Sequence, residues 1–73
     1  MATKLYPVGT IPSYAVVIRC EYCRGEEQAE ALVELARRGL WLSRDQQLTA
    51  GLDPEQETWA EFMHRVAPER RRA

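Results

Sequence analysis

An apolar run from Tyr14 to Ile18 leads through Arg19 into Cys20-Glu21-Tyr22-Cys23, and a helical period follows along residues 26–38. On an extended chain, Tyr14, Val16, Ile18, Cys20 and Tyr22 fall on one side, and Ala15, Val17, Arg19, Glu21 and Cys23 on the other. The β-branched run Val16, Val17, Ile18 is too short to span a membrane, so the pattern predicts a strand through a core with the Val16 face inward. Arg24-Gly25 breaks that strand. Glu26 and Glu27 open a helix whose apolar residues Ala29, Leu32, Val33 and Ala36 recur at i, i+3, i+4 and i+7. Glu34 stands four residues before Arg38, the order that favours an ion pair on a helix surface, and Gly39 is the expected stop.

Lys4-Leu5-Tyr6 fits a short edge strand, guarded by Pro7, and residues 9–13 a loop into the main strand. Leu40-Trp41-Leu42 permits a third strand. Ser43 followed by Gln46 has capping-box spacing, which predicts a short helix over residues 44–50 ended by Gly51. Asp53, Pro54 and Gln56 match a second helix start, and Trp59, Phe62, Met63 and Val66 continue it as an apolar stripe until Pro68. The fold class expected is α+β: a small two- or three-stranded sheet with two main helices and one short helix packed on one face. Residues 1–67 form the single domain, and residues 68–73 a mobile basic tail.

Seventy-three residues allow only a thin core, which needs a disulfide, a metal, a partner or very regular packing to support it. Two cysteines make no disulfide framework, and the absence of a long apolar run near the start points to a cytoplasmic chain with reduced thiols. A net charge of -1 argues against a surface built wholly for nucleic acid. The acidic clusters at Glu26 to Glu34 and at Asp53 to Glu61 are accounted for by carboxylates placed in first helical turns.

Cys20-Glu21-Tyr22-Cys23 raises zinc, with His64 as a third ligand. A closed zinc site needs a fourth, and in a strand the two thiols point to opposite faces. The same motif raises redox chemistry: V-V-I-R-C-E-Y-C before a helix resembles the opening of a glutaredoxin over residues 16–39, which implies a thiol activated at a helix N-terminus. The loop between strand and motif is missing, and residues 44–66 read as helices where that family has a strand and hairpin. Residues 44–62 also permit a helix-turn-helix, but its second helix opens with Asp53, Glu55 and Glu57, which repel phosphate. His64 falls on the Glu61 and Arg65 side of its helix, away from any nucleophile. With no phosphate loop or paired acids in a cleft, neither an enzyme nor a cofactor is expected.

A short chain with a thin core and segregated charge is best suited to binding another protein. In length, in its M-A-T-K-L-Y start and in its Arg-Arg-Arg end it resembles the small RNA-polymerase-binding transcription regulators of lytic Xanthomonas bacteriophages. That resemblance implies a partner, host RNA polymerase, and an action: blocking initiation and letting elongation pass terminators. Another phage inhibitor, such as an anti-CRISPR protein, is the alternative in the same class. Tyr6 and Trp41 lie outside the helical stripes and are the expected anchors, with Arg37 and Arg38 beside Trp41 and with Arg70, Arg71 and Arg72 steering association from the tail. The competing expectation is a Trp41 buried in the core.

Overall fold

A computed structural model describes residues 6–67. Within them the chain is all-helical: a 3-10 turn at Val8–Thr10 precedes α1 (Ser13–Tyr22), α2 (Glu26–Arg37), α3 (Arg44–Ala50) and α4 (Trp59–Val66). The expected α+β sheet is therefore corrected, for no strand occurs among the described residues. Tyr6 is in irregular chain, and Lys4 and Leu5, the rest of the predicted edge strand, lie outside the described residues, as does the predicted tail at 68–73.

The main strand is α1. Pro12 holds an extended conformation, and its carbonyl accepts from the amides of Ala15 at 3.0 Å and Val16 at 3.1 Å, so the helix starts directly behind it. Residues 14, 16, 18, 20 and 22 satisfy a period of two, but they also form two series spaced by four. The helix separates those series. Val16 and Cys20 are fully buried, whereas Tyr14, Ile18 and Tyr22 are 71%, 50% and 72% exposed, which a strand with one inward face would not produce. β-Branched preference amounts to a few tenths of a kcal/mol per residue, and packing of Val16 and Cys20 against α2 outweighs it.

In α2 the buried stripe is Gln28, Ala31, Leu32 and Leu35, with Ala29 beside it. Relative to the expected Ala29, Leu32, Val33, Ala36 stripe it is rotated by one residue: Val33 is half-buried and Ala36 exposed. The helix ends in a Schellman motif. Gly39 at φ 75° lets its own amide reach Ala36 O and the amide of Leu40 reach Leu35 O, both at 3.0 Å. Gly51, at φ 101°, ends α3 in the same way, with Leu52 N donating to Gln47 O at 2.9 Å.

The proposed third strand is a connector. Leu42 enters the core and Trp41 points out, 74% exposed. The capping box at the start of α3 is present with both bonds, Gln46 N to Ser43 Oγ at 3.2 Å and Ser43 N to Gln46 Oε1 at 2.8 Å. The last helix begins later than Asp53. Asp53 caps only a single turn, with its carbonyl accepting from Gln56 N and Glu57 N at 2.9 Å, and a second box formed by Thr58 and Glu61 then starts α4. Phe62 and Met63 enter the core from α4, with Trp59 and Val66 partly covered at its edge.

Two polar side chains join the helix ends. Gln28 is buried in the first turn of α2, and its Nε2 donates to Cys20 O at 2.9 Å and to Ala50 O at 2.8 Å. Arg24 extends the same junction, donating to Glu21 O, Cys23 O and Thr49 O. Together they satisfy carbonyls left open where α1 and α3 end, and Arg24 brings positive charge to two negative dipole ends.

Candidate functional site

Trp41 is presented by its neighbours on both sides. Upstream, Gly39 turns the chain out of α2. Downstream, Leu42 is locked into the core and its carbonyl accepts from Gln47 Nε2 at 2.8 Å. An indole between two such fixed points stays outside at little cost in ordering. Trp59, from the first turn of α4, forms the other wall of a groove also lined by Ala36, Gly39, Leu40 and Gln47, with a volume of about 540 Å³. Trp59 packs its inner edge on Phe62, with ring centroids 5.8 Å apart.

None of the groove residues is charged. That is a contrast with the rest of the domain, because residues 6–67 hold six arginines and ten carboxylates, 6 − 10 = −4. Arg44 and Glu55 pair at 3.1 Å, and Arg65 grips Glu57 with two bonds of 2.9 and 3.0 Å while lying over the Phe62 ring. The bond from Arg65 holds the Glu57 carboxyl below its ordinary pKa and raises that of Arg65.

The predicted anchors fall in different places. Tyr6 is 76% exposed but does not line the groove. Arg37 is exposed and pairs with Glu34 at 3.3 Å. Arg38 is committed to the fold: its Nε meets Glu34 Oε2 at 2.8 Å, and its two terminal nitrogens donate to Ser13 Oγ, Val8 O and Ile11 O. Arg70, Arg71 and Arg72 lie outside the described residues. Trp59, Leu40 and Gln47 were missed as site residues. The signal available was that an apolar triplet on a connector can bury only part of itself, leaving the remainder to meet whatever large residue opens the next helix.

Across comparisons with known families, curated proteins and solved structures, the chain matches none.

The thiols occupy the opposite setting from a redox pair. Cys20 lies in the last turn of α1 and Cys23 is its C-cap, so the pair follows a helix rather than opening one. Burial, with smaller contributions from Glu21 and Cys23, pushes the Cys20 thiol up to about 12. Among the described residues no three His, Cys, Asp or Glu side chains converge in a metal-holding group, and His64 is exposed on α4. No helix among them is long and apolar enough to cross a membrane.

Proposed function

We propose that the protein is a non-catalytic regulator that works by docking on another protein through the surface around Trp41, and that its partner is host RNA polymerase, whose initiation it inhibits and whose passage through terminators it promotes. The observation that carries the binding reading is the exposed Trp41 beside Trp59 in an uncharged groove of an otherwise acidic domain. Large amphipathic rings held rigid at a surface are the side chains that dominate interface energetics. The choice of RNA polymerase rests on the likeness in length and in the two chain ends to phage regulators of that enzyme. Arg37 is kept as a rim contact, and Tyr6 and the terminal arginines as secondary ones; Arg38 serves by holding the domain together.

Affinity capture from nuclease-treated bacterial lysate tests this. RNA polymerase retained by the wild type and lost from Trp41→Ala is the expected result. Retention that needs DNA, or equal retention by both proteins, overturns it.

A further inference from the structure

From the outward face of α1 we infer that two copies of this chain pair weakly through Tyr14, Ile18 and Tyr22, helices side by side and in the same direction, with Arg19 of each against Glu21 of the other. At about 100° per residue, Tyr14 and Tyr22 stand about 40° to either side of Ile18, on the face opposite the buried Val16 and Cys20. The helix is thus apolar on both faces, the pattern of a helix covered on both. Apolar character alone would admit any apolar partner, and the flanking charges choose among them. Of the six arginines in residues 6–67, Arg24 is engaged with carbonyls, and Arg37, Arg38, Arg44 and Arg65 are paired with carboxylates. Arg19 is the exception among the described residues: its half-buried guanidinium has neither a hydrogen bond nor an ion pair, and the half-buried Glu21 carboxylate likewise has neither.

Arg19 lies about 100° round the helix from Ile18 on one side and Glu21 about 60° on the other, with about 3 Å between them along the axis. A two-fold axis running along the pair lays one side of each helix against the opposite side of its copy. Ile18 then meets Ile18, and each Arg19 comes to the level of the partner's Glu21. The antiparallel arrangement lays like sides together and sets Arg19 on Arg19, so charge disfavours it. In the parallel pair the surface is self-complementary, as an isologous contact requires. Tyr14, Ile18 and Tyr22 form one i±4n ridge, and two such ridges interdigitate at a crossing angle of about −50°. A uniformly basic or uniformly acidic partner would match one of the two charges and repel the other. Three side chains supply less than the roughly 800 Å² per partner of a standard interface, so the pair is transient, and its ion pairs lie at the rim, where salt weakens them.

The test is sedimentation equilibrium of the full chain from micromolar to millimolar concentration. Expected is a reversible monomer–dimer equilibrium that weakens with added salt. Arg19→Glu or Glu21→Arg alone weakens it about two- to thirtyfold, the loss of two exposed ion pairs, and both changes in one chain restore it. Ile18→Glu abolishes the dimer, and Trp41→Ala leaves it unchanged. A monomer at every concentration, a dimer lost in Trp41→Ala but kept in Ile18→Glu, or no recovery in the charge-exchanged chain would each overturn the inference. Circular dichroism establishes that each variant is folded, and if Ile18→Glu is not, the two charge variants and their combination decide. Polymerase capture that fails while the dimer stands removes the proposed partner and leaves this pairing, since neither rests on the other.

Discussion

Gln28 Nε2 lies 2.8 Å from the carbonyl oxygen of Ala50, so the first turn of one helix holds the last carbonyl of another across the core. The amide makes a second bond to Cys20 O. Both acceptors sit where helices end. Gln28→Leu keeps the volume and loses the donor. It is expected to destabilise by about 1–3 kcal/mol, the cost of leaving buried acceptors unsatisfied, read as a lower urea midpoint with an unchanged slope. A loss below about 0.5 kcal/mol, the range of an ordinary surface change, would show that the junction is wet.

Arg38 closes a second junction. Arg38→Ala strips one partner from the buried Glu34 carboxylate and releases the carbonyls of Val8 and Ile11. With the arginine still partly exposed, a loss of about 2 kcal/mol is expected, below the range for a fully buried pair. Arg37→Ala, on the exposed side of the same carboxylate, changes stability by less than about 0.5 kcal/mol. Thermal melts of the two variants separate these values, and equal melting temperatures would contradict the assignment.

Trp41 and Leu42 are adjacent and opposite in burial. Trp41→Ala leaves the unfolding midpoint within about 0.5 kcal/mol of wild type, whereas Leu42→Ala costs about 2–5 kcal/mol through the cavity it opens. Chemical denaturation of both is the check, and a destabilised Trp41→Ala would place that ring in the core.

The Cys20 thiol titrates at about 12 in the folded chain, against 9.0 unperturbed. A raised folded-state pKa means that the stabilisation from keeping this thiol neutral is present in full below pH 9.0 and is lost as pH rises toward about 12. In reducing buffer the wild-type midpoint should fall across that window more steeply than that of Cys20→Ala, which lacks the thiol. Parallel curves would exclude the linkage.

Below neutrality the Glu57 clamp gives the opposite sign. Its carboxyl is held below the ordinary 4.5 by Arg65, so its contribution is present above that pH and fades as acid protonates the folded pair. The group is at the surface, so Glu57→Gln should flatten the acid limb only slightly, and added salt should erase the difference.

Local signals were readable where a single residue type satisfied a backbone need. The Ser43 and Gln46 box, Gly39 and Gly51 placed three helix ends from sequence alone. The first helix was not readable, because its apolar residues at every second position are also spaced by four, and only contact with α2 decides between the two periods. Gln28 hid the face of α2: a polar residue in the core looks like a surface residue until its two acceptors, 8 and 22 residues away in sequence, are known. Thr58 and Glu61 competed with Asp53 and Pro54 for one helix start, and both have valid capping chemistry. Of the groove, Trp41 stood out because no stripe claimed it, while Trp59 was absorbed into the stripe it shares with Phe62.

The Arg38 bonds to Val8 and Ile11 span 30 and 27 residues, while α1 and α2 meet across a link of three residues, 23–25. Contacts between close neighbours form first, because they close short loops, so the α1–α2 hairpin should be the early event and the strap at residues 8–11 the last. The order runs backward on opening. Amide hydrogen exchange would then find Thr10, bonded only to Pro7 O, exchanging by release of the strap, while Leu32 and Leu35 wait for the whole molecule to unfold.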